Sequence, residues 1–339
     1  MKLQLLDELI SLGHGNIRST DCLIAVNLPP GMIPDPERAQ KVFPKTSKFP
    51  IKVGEFSRLE DFAVSNLPSH FHLEVAIIRE EIPLLALKMS HVLGDAVSML
   101  LFLKVMLGKE EKDEELVLKT FPKKKDTPYR DLLTSKLWPR KGKPGYTRKF
   151  LRATLEHGET NAPVLNDLML YSLLEALPFS RKSIWVPVNV RKNFWKGFGN
   201  GLSRLRIYPP KGATLEEKLA HIRKQKQEAL RNGEVALPPP EFDLQNRHHR
   251  LLYDLWINRP WADWSSISLS HLSGSQGFLE SMTKVWGLSN LMPHHQTAIF
   301  AVTNNDHTDF TMTFDDTVVK IEEAEYLLNT FISHLRKKL

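Results

Sequence analysis

Apolar and polar positions change period most sharply between Leu84 and Leu107, which read LLALKMSHVLGDAVSMLLFLKVML. Leu84, Leu85, Ala86, Leu87 and Met89 make a short, almost unbroken apolar run after Pro83, the pattern of a strand covered on both faces. From Ser98 to Leu107 the spacing becomes that of a helix. A polar break carrying His91 and Asp95 separates the two. The stretch therefore predicts strand, short loop and helix, with His91 where the strand ends.

The same reading extends along the chain. Residues 1–20 predict a short helix or irregular lead-in, and DCLIAVNL at 21–28 a strand stopped by Pro29-Pro30-Gly31. PERAQKVF predicts a helix opened by Pro36, and HLEVAIIR at 72–79 a strand. Residues 108–148 are rich in charge and proline and predict a linker. Beyond them come a strand at 150–155, a helix at 163–177, and strands at 183–190 and 202–208. A helix at 214–232 follows, with Thr214 and Glu217 as a capping box and Gly233 as its stop. Near the start of the 163–177 helix, Asn166 and Asp167 stand where such side chains satisfy free backbone N–H groups. A helix at 245–258, a strand at 265–272, a hairpin of 297–303 with 310–314, and a closing helix at 321–339 complete the order. Strands alternating with long helices predict an α/β protein.

Composition narrows this only slightly. The 339 residues are 42% hydrophobic and 25% charged, enough for a sizeable core and, by length, about two domains. A single cysteine, Cys22, excludes an intramolecular disulfide and favours a reducing compartment, and it lies inside an apolar strand as a buried thiol. MKLQLLDELISL is broken by Asp7 and Glu8, unlike a signal peptide, and the run from Val97 to Leu107 contains Lys104 and is too short to span a bilayer. A cytoplasmic protein is the expectation. The net charge of +7 concentrates at 123–125, 140–143 and 148–152. These clusters either attract an anionic partner (nucleic acid, lipid, an acidic carrier or a phosphate-rich cofactor) or form a solvated linker. They lack interleaved aromatics, which disfavours nucleic acid.

Spacing alone does not single out His91. With 13 histidines in 339 residues, roughly 0.6 histidine–aspartate pairs at this separation arise by chance. Context changes the weight. SHVLGDA, between a buried strand and an apolar helix, resembles the HxxxD motif of the CoA-dependent acyltransferase superfamily. That superfamily includes chloramphenicol acetyltransferase, the condensation domains of peptide synthetases, the plant BAHD enzymes and the wax ester synthase/diacylglycerol acyltransferases. Further matches follow in order. Asn166-Asp167 in VLNDLMLYSLLEAL resembles a helix start of the wax synthase group. VPVNVR resembles its strand ending in arginine, here Arg191, and FGNGLSRLRIYPP its glycine-asparagine turn and strand. ISLSHLSG resembles the late strand near the acceptor site. The likeness runs from about residue 20 to 339.

This resemblance implies a two-subdomain chloramphenicol acetyltransferase-like fold, of mixed sheets flanked by helices with a channel between the halves. Residues 1–148 would carry the HxxxD motif and end in a basic linker from about 108, and residues 149–339 would form the second half. The implied activity is acyl transfer from a thioester to a hydroxyl or amine, with His91 as general base. Asp95 would hold the loop by pairing with an arginine, Arg191. Ser90, Ser270, His271 and Asn166 are the implied substrate-binding or oxyanion candidates. No metal and no permanently bound cofactor are implied. The donor would be acyl-CoA as co-substrate or an acyl-carrier protein, the acceptor a small molecule or lipid, and the basic surface is compatible with peripheral membrane contact.

Departures from the pattern carry their own expectations. Ser90 and Ala96 stand where many relatives have a second histidine and a glycine, the DFGWG motif of the BAHD branch is absent, and Ser270-His271 replaces a polar-asparagine pair. With a length shorter than typical members, they leave a rival: a catalytically inactive acyltransferase fold used as a binding module. Turn chemistry accounts for Asp306, His307 and Asp309 without a metal, and His248-His249 reads as surface.

Overall fold

The computed structural model describes residues 21–47, 49–65, 73–91, 93–109, 111–119, 137–139, 141, 148–178, 182–193, 196–232, 251, 261–263, 266–273, 282–288, 296–304 and 306–339. They form a mixed α/β structure whose chain divides into two compact units. One draws on Met1–Lys119, Asn189–Leu202 and Gly274–Asn290; the other takes Thr120–Val188, Ser203–Ser273 and Leu291–Leu339.

The first unit begins with β1 (Asp21–Asn27) and α1 (Pro36–Val42), which Asp35 caps by accepting the Arg38 N–H. There follow β2 (Ile51–Phe56), α2 (Leu59–Val64), β3 (Leu73–Ile78), β4 (Leu84–Ser90) and α3 (Ala96–Met106). Leu118 bridges Arg191 in antiparallel fashion, with the Lys119 N–H donated to the Val190 carbonyl. A late strand, Val285–Leu288, lies antiparallel against β1 and completes a five-stranded sheet; numbered by chain position it is β11, giving the order β11-β1-β4-β3-β2. β4 is central, antiparallel to both β1 and β3, and all seven of its residues are buried. This explains the unbroken apolar run: with no solvent face, alternation has no use. The exception within it, Lys88, donates from Nζ to the carbonyls of Phe62 and Ser65 and to Ser65 Oγ, at 2.6, 3.1 and 2.9 Å. α3 is apolar nearly all round because it is buried nearly all round.

The second unit comprises β5 (Leu137–Pro139), β6 (Arg148–Glu156), α4 (Ala162–Ala176), β7 (Ser183–Asn189, its last residue in the first unit), β8 (Leu202–Ile207, its first residue likewise), α5 (Leu215–Arg231), β9 (Trp261–Asp263), β10 (Ser266–Ser273), β12 (Thr297–Thr303), β13 (His307–Asp315) and α6 (Ile321–Arg336). Six strands form a sheet in the order β6-β13-β12-β10-β7-β8, antiparallel around the β12–β13 hairpin and parallel from β12 through β10 to β7. β5 and β9 pair separately. α4, a strongly apolar helix, packs against α5 and α6, and its Leu165, Met169 and Leu173 join Phe310, Phe314 and Phe331 in the core. Thr214 and Glu217 form the expected capping box.

Three expectations meet a different outcome or none. Helix α4 starts at Ala162, with Pro163 in its first turn, so Asn166 and Asp167 lie one turn inside and bond to side chains instead of capping. The strand Val285–Leu288 is an addition that sequence periodicity did not single out, and Ile51–Phe56 falls in residues 49–80, whose alternating stretches the sequence shows without bounding a strand there. The lead-in at 1–20, most of the 245–258 helix, and His248-His249 lie outside the described residues.

Candidate functional site

The HxxxD segment follows directly from how β4 ends. After Ser90, which is fully enclosed, the chain turns, with the Leu93 N–H donated to the Ser90 carbonyl at 2.9 Å. His91 occupies the corner of that turn. Asp95 then opens α3 as its N-cap, accepting the Ser98 N–H at 3.1 Å. The aspartate thus has a local reason to stand before the helix, and a second task for its remaining lone pairs.

That task is Arg191, which leaves β7 on the Asn189–Leu202 segment of the same unit. Its Nη1 donates to Asp95 Oδ2 at 2.7 Å and its Nη2 to Asp95 Oδ1 at 2.8 Å, a bidentate pair with both side chains enclosed. The rest of the guanidinium is also satisfied: Nη2 reaches the Gly199 carbonyl at 2.6 Å and Nε the Gly197 carbonyl at 3.3 Å. Burial of an ion pair is tolerable only when the remaining donors and lone pairs find partners in this way.

The Gly197–Gly201 loop fits around this pair. Gly201 donates its N–H to Asp95 Oδ2 at 2.8 Å, and a Cβ there would lie 2.5 Å from Cγ and Nη1 of Arg191, so only glycine permits the approach. Gly199 exchanges hydrogen bonds with Ser98 Oγ, donating at 2.9 Å and accepting at 2.8 Å, from a backbone φ of +139°. Asn200 donates from Nδ2 to the His91 carbonyl at 2.6 Å. His91 itself is partly exposed, and its Nδ1 is enclosed without a hydrogen-bond partner among the described residues.

The remaining sequence candidates gather in the second unit. His271 on β10 contacts Asn166 Nδ2 through Nδ1 at 3.2 Å and Thr303 Oγ1 through Nε2 at 2.9 Å. Lys226 donates to Asn166 Oδ1 at 2.6 Å, which fixes the amide with its N–H₂ toward the imidazole. His271 Nδ1 must then accept, so Nε2 carries the proton and donates to Thr303. The direction continues: Thr303 donates to Thr308 at 2.8 Å and Thr308 to His157 Nε2 at 2.9 Å, while His157 Nδ1 donates to the Gly158 carbonyl at 2.7 Å. Asp167 closes the other end, accepting from Lys226 and Arg223 at 2.6 Å each. Burial and then the positive charge of Lys226 push the His271 pKa down to about 3, in keeping with a neutral ring. Ser270, the neighbouring strand position, is partly exposed.

At the β12–β13 hairpin, Glu156, Asp306 and His307 each offer one ligand atom within 4.8 Å of the others. Both ring nitrogens of His307 are engaged there, Nδ1 with Asp306 and Nε2 with Asn304. Cys22 is buried in β1.

Sequence reading brought Asp95 and Arg191 together, and Asn166 with His271 as candidates of one kind. It missed Ser98 and the amide of Asn200. Ser98 is signalled only as the third residue after an N-cap, and Asn200 between glycines reads first as turn chemistry.

Comparison of structures identifies the fold class: the chloramphenicol acetyltransferase-like fold of condensation domains and wax ester synthases. The wax ester synthase/diacylglycerol acyltransferase from Marinobacter aquaeolei VT8 is 16% identical with a TM-score of 0.53, over 100% of this chain and 99% of that one. The condensation domain from the Monacolin K polyketide synthase MokA is 14% identical with a TM-score of 0.58, over 99% and 96%. The starter condensation domain of the rhizomide synthetase RzmA, as a double mutant in complex with C8-CoA and Leu-SNAC, is 9% identical with a TM-score of 0.61, over 99% and 93%. No family model and no curated protein matches the chain by sequence.

Proposed function

We propose that this protein is an acyltransferase that moves an acyl group from a thioester to a hydroxyl or amine, with His91 as general base. The observation that carries the reading is the locked turn: His91 stands partly exposed on a loop whose carboxylate is fixed by two charged hydrogen bonds to Arg191. A neutral imidazole suits proton removal near pH 7. With Nδ1 enclosed, Nε2 is the ring nitrogen that would take the acceptor proton as the acceptor oxygen or nitrogen attacks the thioester carbonyl. Collapse of the tetrahedral intermediate then breaks the carbon–sulfur bond, and the same proton passes from the imidazolium to the departing thiolate. Asp95 and Arg191 support the turn and take no part in proton transfer.

Ser270, His271 and Asn166 are the substrate-binding and oxyanion candidates of this reading, whereas Ser90 is fully enclosed and offers no surface to a substrate. The donor is a coenzyme A thioester or an acyl group on a carrier protein; the C8-CoA bound by the RzmA double mutant supports the former. The acceptor is a small molecule or a lipid. No permanently bound cofactor or metal enters the scheme; the compartment it assumes is the cytoplasm, and the basic clusters of the sequence are compatible with peripheral membrane contact. Free-thiol release from acyl-CoA of graded chain length, with alcohol and amine acceptors, tests it. Wild type should release thiol in step with product, and His91→Ala should abolish transfer at an unchanged melting temperature. Unchanged transfer by a folded His91→Ala protein would eliminate the mechanism, and no transfer by wild type with any donor–acceptor pair would leave the binding-module reading.

A further inference from the structure

The Gly197–Gly201 loop is fastened along its length. Phe198 stacks on Phe43 with ring centroids 4.7 Å apart, and Lys45 Nζ donates to the Phe198 carbonyl at 3.4 Å. Gly197 and Gly199 give their carbonyls to Arg191, Gly199 bonds twice to Ser98, and Gly201 meets Asp95. All of these contacts except the aromatic stack use loop backbone. The Asn200 amide is different: it reaches past the ion pair to the backbone carbonyl of His91 at 2.6 Å.

We infer that Asn200 is a positioning residue that sets the direction of the His91 imidazole through the His91 carbonyl. The carbonyl of a turn-corner residue points away from the turn's own closing bond, here Leu93 N–H to the Ser90 carbonyl, so an outside donor must hold it. Its orientation is the ψ of His91. Fixing ψ fixes how Cβ and the ring project, because side-chain rotamers depend on backbone angles. The Asp95–Arg191 pair anchors the segment four residues downstream, where it secures the helix start, and leaves the corner itself to Asn200. A base must be held within about 1 Å of its reacting geometry, and misplacement on that scale costs about 100-fold in rate.

The inference rests on the acyltransferase reading for its kinetic arm only. In Asn200→Ala the kcat should fall by about 10–100-fold while KM for the thioester stays within about twofold, and the melting temperature should change little. Independently, imidazole carbon–proton NMR signals of His91, assigned by their loss in His91→Ala, should be single in wild type and broadened or doubled in Asn200→Ala. Asn200→Asp, which is isosteric but lacks the donor, should behave alike and serves if the alanine variant does not fold. Unaltered His91 signals in a folded variant, or an unaltered kcat, would overturn the inference. If wild type proves inactive, the acyltransferase reading fails while the spectra still decide the role of Asn200.

Discussion

Asp95 serves two geometries with one carboxylate, capping α3 and holding Arg191. The capping half is replaceable; the ionic half is not, because Arg191 is 1% exposed and would be left as an enclosed charge. Asp95→Asn or Arg191→Met should therefore destabilise the protein by about 3–5 kcal/mol, measured by chemical denaturation, more than any exposed ion pair could account for. His271 gives a pH prediction with a definite sign. Its pKa falls from 6.5 to about 3 on folding, so between those values the unfolded chain binds a proton that the folded protein excludes. Stability contributed by the neutral ring is thus full above 6.5 and is lost progressively as pH falls toward 3. His271→Asn should reduce the acid sensitivity of the melting temperature over that window; equal acid slopes would refute the buried neutral assignment. At this scale the sequence was only partly legible. The Asp95–Arg191 pair emerges from an ordered resemblance, since a histidine–aspartate spacing has no specificity of its own, while the Asn200 and Ser98 contacts depend on a loop backbone whose path no residue pattern encodes.

Elements were far more readable, for reasons that lie in burial. β4 and α3 are buried almost throughout and so keep long apolar runs, and α5 carries a capping box and a charged face that mark its start and its exposure. The bounds of β2 were not legible within the alternating stretch 49–80 because Ile51–Phe56 is an edge strand with exposed Lys52, Val53 and Glu55 and a glycine at 54, so no apolar face marks its ends. β11 is only four residues long, below the length at which a period can be recognised. Lys88 shows what pattern reading conceals within a well-read element: a charged side chain in a central strand serves the end of a neighbouring helix, since the Phe62 and Ser65 carbonyls it satisfies terminate α2. Lys88→Met keeps the stem but takes the ammonium from the Ser65 carbonyl and from the buried Glu74 carboxylate 3.8 Å away, while the Phe62 carbonyl keeps the Ser65 N–H and Oγ as donors. It should cost about 1–3 kcal/mol, and a denaturation midpoint equal to wild type would show that the two deprived groups find other partners.

At the scale of the whole molecule, the compact unit bearing His91 is assembled from three separated stretches of chain. The segment 189–202 supplies Arg191, Asn200 and the glycine turn, and β11 supplies an edge of the sheet. A fragment of residues 1–148 would therefore keep Asp95 without its counter-charge and β1 without one neighbour. It should show no cooperative melting transition and poor dispersion of its amide NMR signals; a cooperative transition would show that the early residues suffice. Among the described residues no helix is long and apolar enough to cross a membrane.

The pairing of β1 with β11 also sets an order of events during synthesis. Asn27 and Lys284 are joined across 257 residues, which at about 5–20 residues per second a ribosome takes roughly 10–50 s to emit. Throughout that interval the nascent CLIAV strand has one bare hydrogen-bonding edge, open to whatever other strand drifts past. The protein's yield in a cell should accordingly depend on how well that edge is chaperoned before the last sixth of the chain arrives.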